Sequence, residues 1–179
     1  MPKARPFGRV DKRDAAPLPA HPPGALLRCD SDLVGVLVTH DGRRLITICP
    51  IEEGTRLFVI AGRETPTPTR YSLQVGPALH LDQDCAHDIT DVVRRFFWRY
   101  MDHHCEPTTV IRDREVFATR DIEQGEGVTF DYNVTEYDMA EPFRCHCDSA
   151  HCVGMVRGAR HLTRAQRTRL APWLPDYLR

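Results

Sequence analysis

Apolar and β-branched residues alternate with polar ones over most of the first half of the chain, in short runs broken by turn residues. Leu33–His40 is the first such run, with Asp41-Gly42 supplying a turn, and Arg44–Ile51 follows, ending at Glu52-Glu53-Gly54. Thr55–Ala61 is rich in Leu, Phe, Val and Ile. Thr65–Thr69 carries two prolines and reads as a loop. Tyr71–Val75 and Ala78–Leu81 read as two more strands around Gly76-Pro77. At Ile89 the period changes. Ile89, Val92, Val93, Phe96, Phe97, Tyr100 and Met101 recur at helical spacing, which predicts a helix over 89–101 capped by Asp88. Strand character returns in Thr108–Arg112 and Glu115–Arg120, a hairpin about Asp113, and in Gly127–Tyr132. Thr163-Arg-Ala-Gln166 has the capping-box spacing and predicts a short helix to about Ala171, stopped by Pro172.

The two ends differ from this middle. Residues 1–24 hold Pro2, Pro6, Pro17, Pro19, Pro22 and Pro23 with little apolar material, and read as a flexible arm. At the other end Trp173, Leu174, Tyr177 and Leu178 would dock the tail on its own domain or on a second subunit, giving a homodimer. The tail's Arg157, Arg160, Arg164, Arg167, Arg169 and Arg179, against Asp176, read as a solvated face, with an acidic partner as the alternative.

Composition narrows the function classes. With 179 residues, the chain is long enough for one cored domain. Its longest apolar stretch, Leu33–Val38, is far short of a membrane span, and no secretory leader follows Met1, so a soluble intracellular protein is expected. Basic and acidic residues number 24 and 25, a balance that speaks against a dedicated nucleic-acid binder. Seven cysteines without a leader favour metal binding or burial over a disulfide framework.

The strongest chemical signal is Cys145-His-Cys147-Asp-Ser-Ala-His-Cys152, three thiols inside eight residues. Zinc takes four thiolate or imidazole ligands in a tetrahedron, so a fourth must come from elsewhere. His146 and His151 compete for that place with a distant cysteine. Arg99-Tyr-Met-Asp-His-His-Cys105-Glu-Pro107 offers either its own His-His-Cys site or Cys105 as the remote ligand, the more economical choice. Gly125–Asn133 ends a strand in Phe130-Asp-Tyr132.

In order and spacing these segments resemble the SET-domain family of S-adenosylmethionine-dependent protein-lysine methyltransferases. Arg99–Pro107 is similar to the family's Arg-Phe-x-Asn-His-Ser-Cys-x-Pro-Asn signature. Asp121–Tyr132 is similar to its second signature, and Phe143–Gly154 to a post-SET segment. Asp41–Leu45 through Ile51–Thr55 is similar to the glycine-containing opening strand and the turn after it. The likeness spans about residues 30–158.

The resemblance implies a mostly β fold with short helices, the SET-type β-clip of several small curved sheets plus a zinc-bound post-SET segment. It divides the chain into an arm (1–24), a catalytic domain (25–142) and a post-SET segment with the C-terminal helix (143–179). It implies one zinc ion on Cys105, Cys145, Cys147 and Cys152. It implies methyl transfer from S-adenosylmethionine to a lysine of a protein substrate, with Tyr132 catalytic and Phe130 walling the substrate channel. Gly42, Arg44, Asp102, His103 and Phe143 would bind the cofactor. Four positions depart from the family pattern: Arg44 for glycine, Asp102 for asparagine, His104 for serine and Thr108 for asparagine. Arg44 and Asp102 motivate the alternative of a catalytically weak, zinc-containing SET-fold interaction module.

Overall fold

A computed structural model describes residues 21–179, so nearly all of the proline-rich arm read at 1–24 lies outside the described residues. In chain order it contains β1 (Leu26–Leu27), β2 (Val34–Thr39), β3 (Gly42–Thr47), β4 (Arg56–Val59), β5 (Arg63–Thr65), β6 (Leu73–Gly76) and β7 (Leu79–Asp82). Then come α1 (Ile89–Arg95), a 3-10 turn (Phe97–Tyr100), β8 (Asp102–His103), β9 (Thr109–Arg112), β10 (Glu115–Ala118) and β11 (Thr129–Phe130). A second 3-10 turn (Tyr132–Val134) leads to β12 (Phe143–Arg144), β13 (Met155–Val156), a third (Ala159–His161), α2 (Arg164–Leu170) and a last turn (Asp176–Leu178). The strands form five small sheets, ordered β1-β2-β3, β5-β7-β6, β4-β10-β9, β8-β11 and β12-β13. This is the mostly β arrangement of small sheets and short helices that the sequence pattern predicts.

Strand alternation is what buries the core. Val34, Val36 and Val38 share one face of β2 and all three are buried, Val34 and Val36 in one cluster with Leu45, Leu57, Phe97, Val116 and Val128. The β2–β3 hairpin pairs Thr39 with Gly42, so its turn residues are His40-Asp41, and Gly42 opens β3 at φ 150°. The β9–β10 hairpin closes on Asp113-Arg114, both at positive φ (48° and 69°).

The helix predicted over 89–101 is shorter. Asp88 caps it as expected, accepting from the Asp91 N–H at 2.9 Å. It stops at Arg95 and re-forms as the Phe97–Tyr100 turn. Phe96, Phe97 and Trp98 are all buried, and three successive side chains span roughly 200° of an α-helix. No single helical face could put all three in the core, so the backbone turns at Phe96. Of the segment Thr65–Thr69, read as a loop, only Thr65 belongs to a strand, as the last residue of β5. The tail folds back on its own domain: Leu170, Leu174 and Leu178 bury with Val134 and Ala159. Arg167 and Arg169, read as part of a solvated face, instead bond the carbonyls of Ala159, Leu178 and Cys105. Among the described residues no helix is long and apolar enough to cross a membrane.

Candidate active site and metal centre

Two segments some 27 residues apart are laid side by side by β8 and β11, which run parallel with Asp102 opposite Thr129 and His103 opposite Phe130. A buried threonine cluster fixes this register. The Thr108 hydroxyl donates to the Gly127 carbonyl and accepts from the Thr129 N–H, and the Thr109 hydroxyl donates to the Thr129 carbonyl. Thr108, one of the departures, therefore satisfies the polar groups around it.

After β11 the chain leaves the strand. Asp131, fully buried, accepts from the Asn133 backbone and side-chain N–H groups and caps the turn that carries Tyr132. Tyr132 is thus on a turn, not on the end of a strand as its sequence neighbours suggest. Its hydroxyl donates to the Met101 carbonyl at 2.8 Å. Its ring lies 4.5 Å from Phe130, 5.3 Å from His103 and 5.8 Å from Phe143, centre to centre. Burial, with the charges of Asp102 and Glu136, pushes the phenol well above its ordinary value, so it stays protonated.

His103 is held at both ring nitrogens. Nδ1 accepts from the Tyr132 N–H at 3.2 Å, so Nε2 carries the proton that points at Cys105 Sγ, 3.3 Å away. Burial lowers its pKa to about 3, so the ring is neutral. One imidazole therefore joins the Tyr132 backbone to the thiol group of Cys105.

Arg44 and Asp102, two departures far apart in the sequence, meet: Arg44 Nε lies 3.4 Å from Asp102 Oδ2. Even so, burial outweighs the guanidinium and raises the Asp102 carboxyl to about 6. Asp102 directly follows Met101 and its charge acts on the Tyr132 phenol, and Gly42 lies two residues before Arg44 on β3.

The Sγ atoms of Cys105, Cys145, Cys147 and Cys152 all lie within 4.8 Å of one another, and Cys105 and Cys145 are 4.0 Å apart. A tetrahedral zinc with bonds of about 2.3 Å would set these separations near 3.8 Å, so the four sulfurs need contract only slightly to fit one. The β12–β13 hairpin gathers the later three, helped by Asp148 at φ 55°, and the Val153 N–H donates to Cys105 Sγ at 3.4 Å. The two competing histidines stand aside. His151 is exposed and turned toward Glu106, 3.8 Å away, and His146 is exposed and outside the cluster.

The candidate residues from the sequence are thus brought to one region: Phe130, Tyr132, His103 and Phe143 as a wall, Arg44 and Asp102 at its rim, and the four thiols behind His103. What the sequence reading missed is Met101, whose carbonyl accepts the hydrogen bond of the phenol, and the threonine lock. A further buried polar group also went unread. Glu136, one turn after Tyr132, accepts from the Gln74 N–H at 2.7 Å, while Gln74 Oε1 accepts from the Tyr137 N–H at 2.8 Å.

This arrangement of small sheets and converging segments is that of the SET domain. The SET-domain family model matches residues 42–133, and the chain belongs to that family. Among its relatives, Methyltransferase flvH of Aspergillus flavus is 32% identical over 119 residues, 63% of this chain and 61% of that protein. The H3 lysine-36-specific histone-lysine N-methyltransferase of Chaetomium globosum is 37% identical over 81 residues, 41% of this chain and 9% of that protein. The chain therefore spans under two thirds of flvH and a small part of the histone enzyme. A crystal structure of KRYPTONITE in complex with mCHG DNA and SAH matches the fold with a TM-score of 0.54 at 19% identity, covering 70% of this chain and 29% of that one.

Proposed function

We propose that this chain transfers a methyl group from S-adenosylmethionine to a lysine side chain of a protein. The observation that carries the reading is the pairing of the Tyr132 hydroxyl with the Met101 carbonyl inside a wall of Phe130, His103 and Phe143, with a carboxylate at the rim. Relatives named as methyltransferases, two of them acting on histone H3 lysine 36 by name, support it. So does the SAH bound in the structural neighbour.

The donor set suits this cofactor. Phenol and carbonyl oxygens and the Asp102 carboxylate are electron-rich groups for a cation, and the aromatic edges suit a heteroaromatic base. When bound, S-adenosylmethionine supplies the methyl on a cationic sulfonium. The chain's own residues do the rest. The Tyr132 proton is committed to Met101, which leaves the phenol lone pairs to accept from the substrate amine and aim it. Phe130 and Phe143 keep water out, which disfavours an ammonium and favours the neutral amine. Asp102, with Arg44 as counterion, is assigned to the cofactor's charged end, together with the backbone at Gly42 and His103. This pairing gives the two departures a common purpose and favours the methyltransferase over the catalytically weak interaction module.

Cys105, Cys145, Cys147 and Cys152 are assigned to one zinc, which would supply a crosslink rather than chemistry. Through His103 it would fix the Tyr132 backbone. Incubation with tritiated S-adenosylmethionine and core histones tests the reading. Label should appear on lysine with the wild type and fall at least about 100-fold with Tyr132→Phe. Absence of both transfer and calorimetric S-adenosylmethionine binding would overturn it.

A further inference from the structure

The chain's basic residues are unevenly chosen. Of 24, all but two are arginine, and the two lysines, Lys3 and Lys12, both belong to the proline-rich arm; residues 21–179 contain no lysine. For a lysine methyltransferase the distinction is chemical. A guanidinium stays protonated and offers no lone pair, whereas a lysine amine releases its proton far more readily. The arginines of the described surface are therefore inert to the chain's own chemistry, and the arm holds its only lysine acceptors.

The structure fixes where the arm is tethered. The Gly24 N–H donates to the Val38 carbonyl at 2.9 Å, the Val38 N–H donates to the Ala25 carbonyl at 2.8 Å, and β1 then pairs with β2. The arm thus joins the sheet that carries Gly42 and Arg44. Leu26 stands opposite Leu37, and Leu37 opposite Arg44, whose guanidinium meets Asp102. Asp102 follows Met101, whose carbonyl accepts from the Tyr132 hydroxyl. With strands about 4.8 Å apart, this path of direct contacts puts Leu26 within roughly 30 Å of that hydroxyl. Lys12 precedes Leu26 by 14 residues and Lys3 by 23. At about 3.3–3.6 Å per residue the chain reaches at most roughly 50 Å and 80 Å from Leu26. Both limits exceed the direct distance and leave length to pass around the domain.

We propose that Lys3 and Lys12 are methylated by the active site of their own molecule. The proposal rests on the methyltransferase reading and adds this chain itself to its substrates. In the step, the methyl–sulfur bond breaks and its electron pair returns to sulfur, leaving a neutral thioether. The lysine nitrogen, having given a proton to water before entering the channel, spends its lone pair on the new carbon–nitrogen bond and becomes a methylammonium. A tether of this length presents its lysine at an effective concentration on the order of millimolar, however dilute the protein. Transfer within one molecule is then first order in chain.

The test reads methyl groups on Lys3 and Lys12 by peptide mass after incubation with S-adenosylmethionine. The proteins are wild type, Tyr132→Phe, and a double variant, Lys3→Arg with Lys12→Arg. Arginine keeps the charge and removes only the acceptor. The double variant should therefore bind S-adenosylmethionine in calorimetry, and label core histones, within a few-fold of wild type. In the wild type, methyl is expected on one or both lysines, at a rate per chain unchanged over about a ten-fold dilution. Tyr132→Phe should carry at most a trace. The double variant, active but without acceptor, mixed with Tyr132→Phe, which keeps the lysines, should yield under about a tenth of the wild-type rate. A rate per chain that rises with concentration, or a mixture that matches wild type, means transfer between molecules and overturns the proposal. An unmethylated arm in a wild type that binds S-adenosylmethionine or labels core histones also overturns it, and the methyltransferase reading does not fall with it. If the wild type neither binds the cofactor nor labels any protein, that reading falls first, and the two failures are told apart.

Discussion

Asp102 is a carboxylate kept in an unfavourable place, and the size of the penalty can be worked out. Its carboxyl rises from an ordinary 3.8 to about 6 on folding, because burial outweighs Arg44. Two pH units correspond to roughly 3 kcal/mol. Since 31% of the side chain remains exposed, solvent screening reduces this to about 1.5 kcal/mol. The sign follows from which state holds the proton more tightly. The folded carboxyl does, so this increment of stability is present in acid and is lost as pH rises from the ordinary carboxylate range through about 6. Asp102→Asn cannot ionise and should escape the loss. Denaturant unfolding of wild type and Asp102→Asn from pH 5 to 8 should show the variant more stable, by a gap that widens to about 1.5 kcal/mol by pH 7 and then holds. At neutral pH that is a rise of about 3–6 °C in melting temperature for a domain this size. Comparing the two proteins at each pH cancels acid effects on the thiols. A gap that is constant, or that closes toward neutral pH, would refute the assignment. A residue that destabilises the fold is most simply retained for binding. Asp102→Asn should accordingly weaken S-adenosylmethionine more than S-adenosylhomocysteine, which lacks the sulfonium charge, and calorimetry with both ligands reads the difference.

Other positions make separate claims. Gly158 sits at φ 102°, and a Cβ there would lie 2.7 Å from the Tyr137 carbonyl oxygen and 2.9 Å from that of Glu136. Gly158→Ala should therefore destabilise by about 2–4 kcal/mol, read by denaturant titration, and should loosen the turn that carries Glu136. Asp113→Asn with Arg114→Gly fits the positive φ of that hairpin. It should raise the melting temperature by a few degrees, even after loss of the exposed Arg114–Glu64 pair.

Period-two alternation made β2 and β3 legible, and the capping patterns at Asp88 and Thr163 fixed the starts of both helices. The thiol cluster was legible because three of its members are close in sequence. Other features depend on distant partners. β8 and β11 are two residues each and exist only through mutual pairing, which no local propensity records. The Arg44–Asp102 pair joins residues that sequence shows only as separate departures. Gln74 and Glu136 are polar residues 62 positions apart, and each alone looks like surface. The end of α1 was misread because helical spacing cannot reveal that Phe96, Phe97 and Trp98 must all face inward.

Most rests on the thiols of two remote segments sharing one ion and, through His103, setting the place of Tyr132. Zinc-edge X-ray absorption on the purified chain, with cofactor calorimetry before and after chelation, tests this directly. The expected result is one zinc per chain with four sulfur neighbours at about 2.3 Å, and S-adenosylmethionine binding that is lost on chelation and restored by zinc. A nitrogen in the shell, no metal, or binding indifferent to chelation would contradict it.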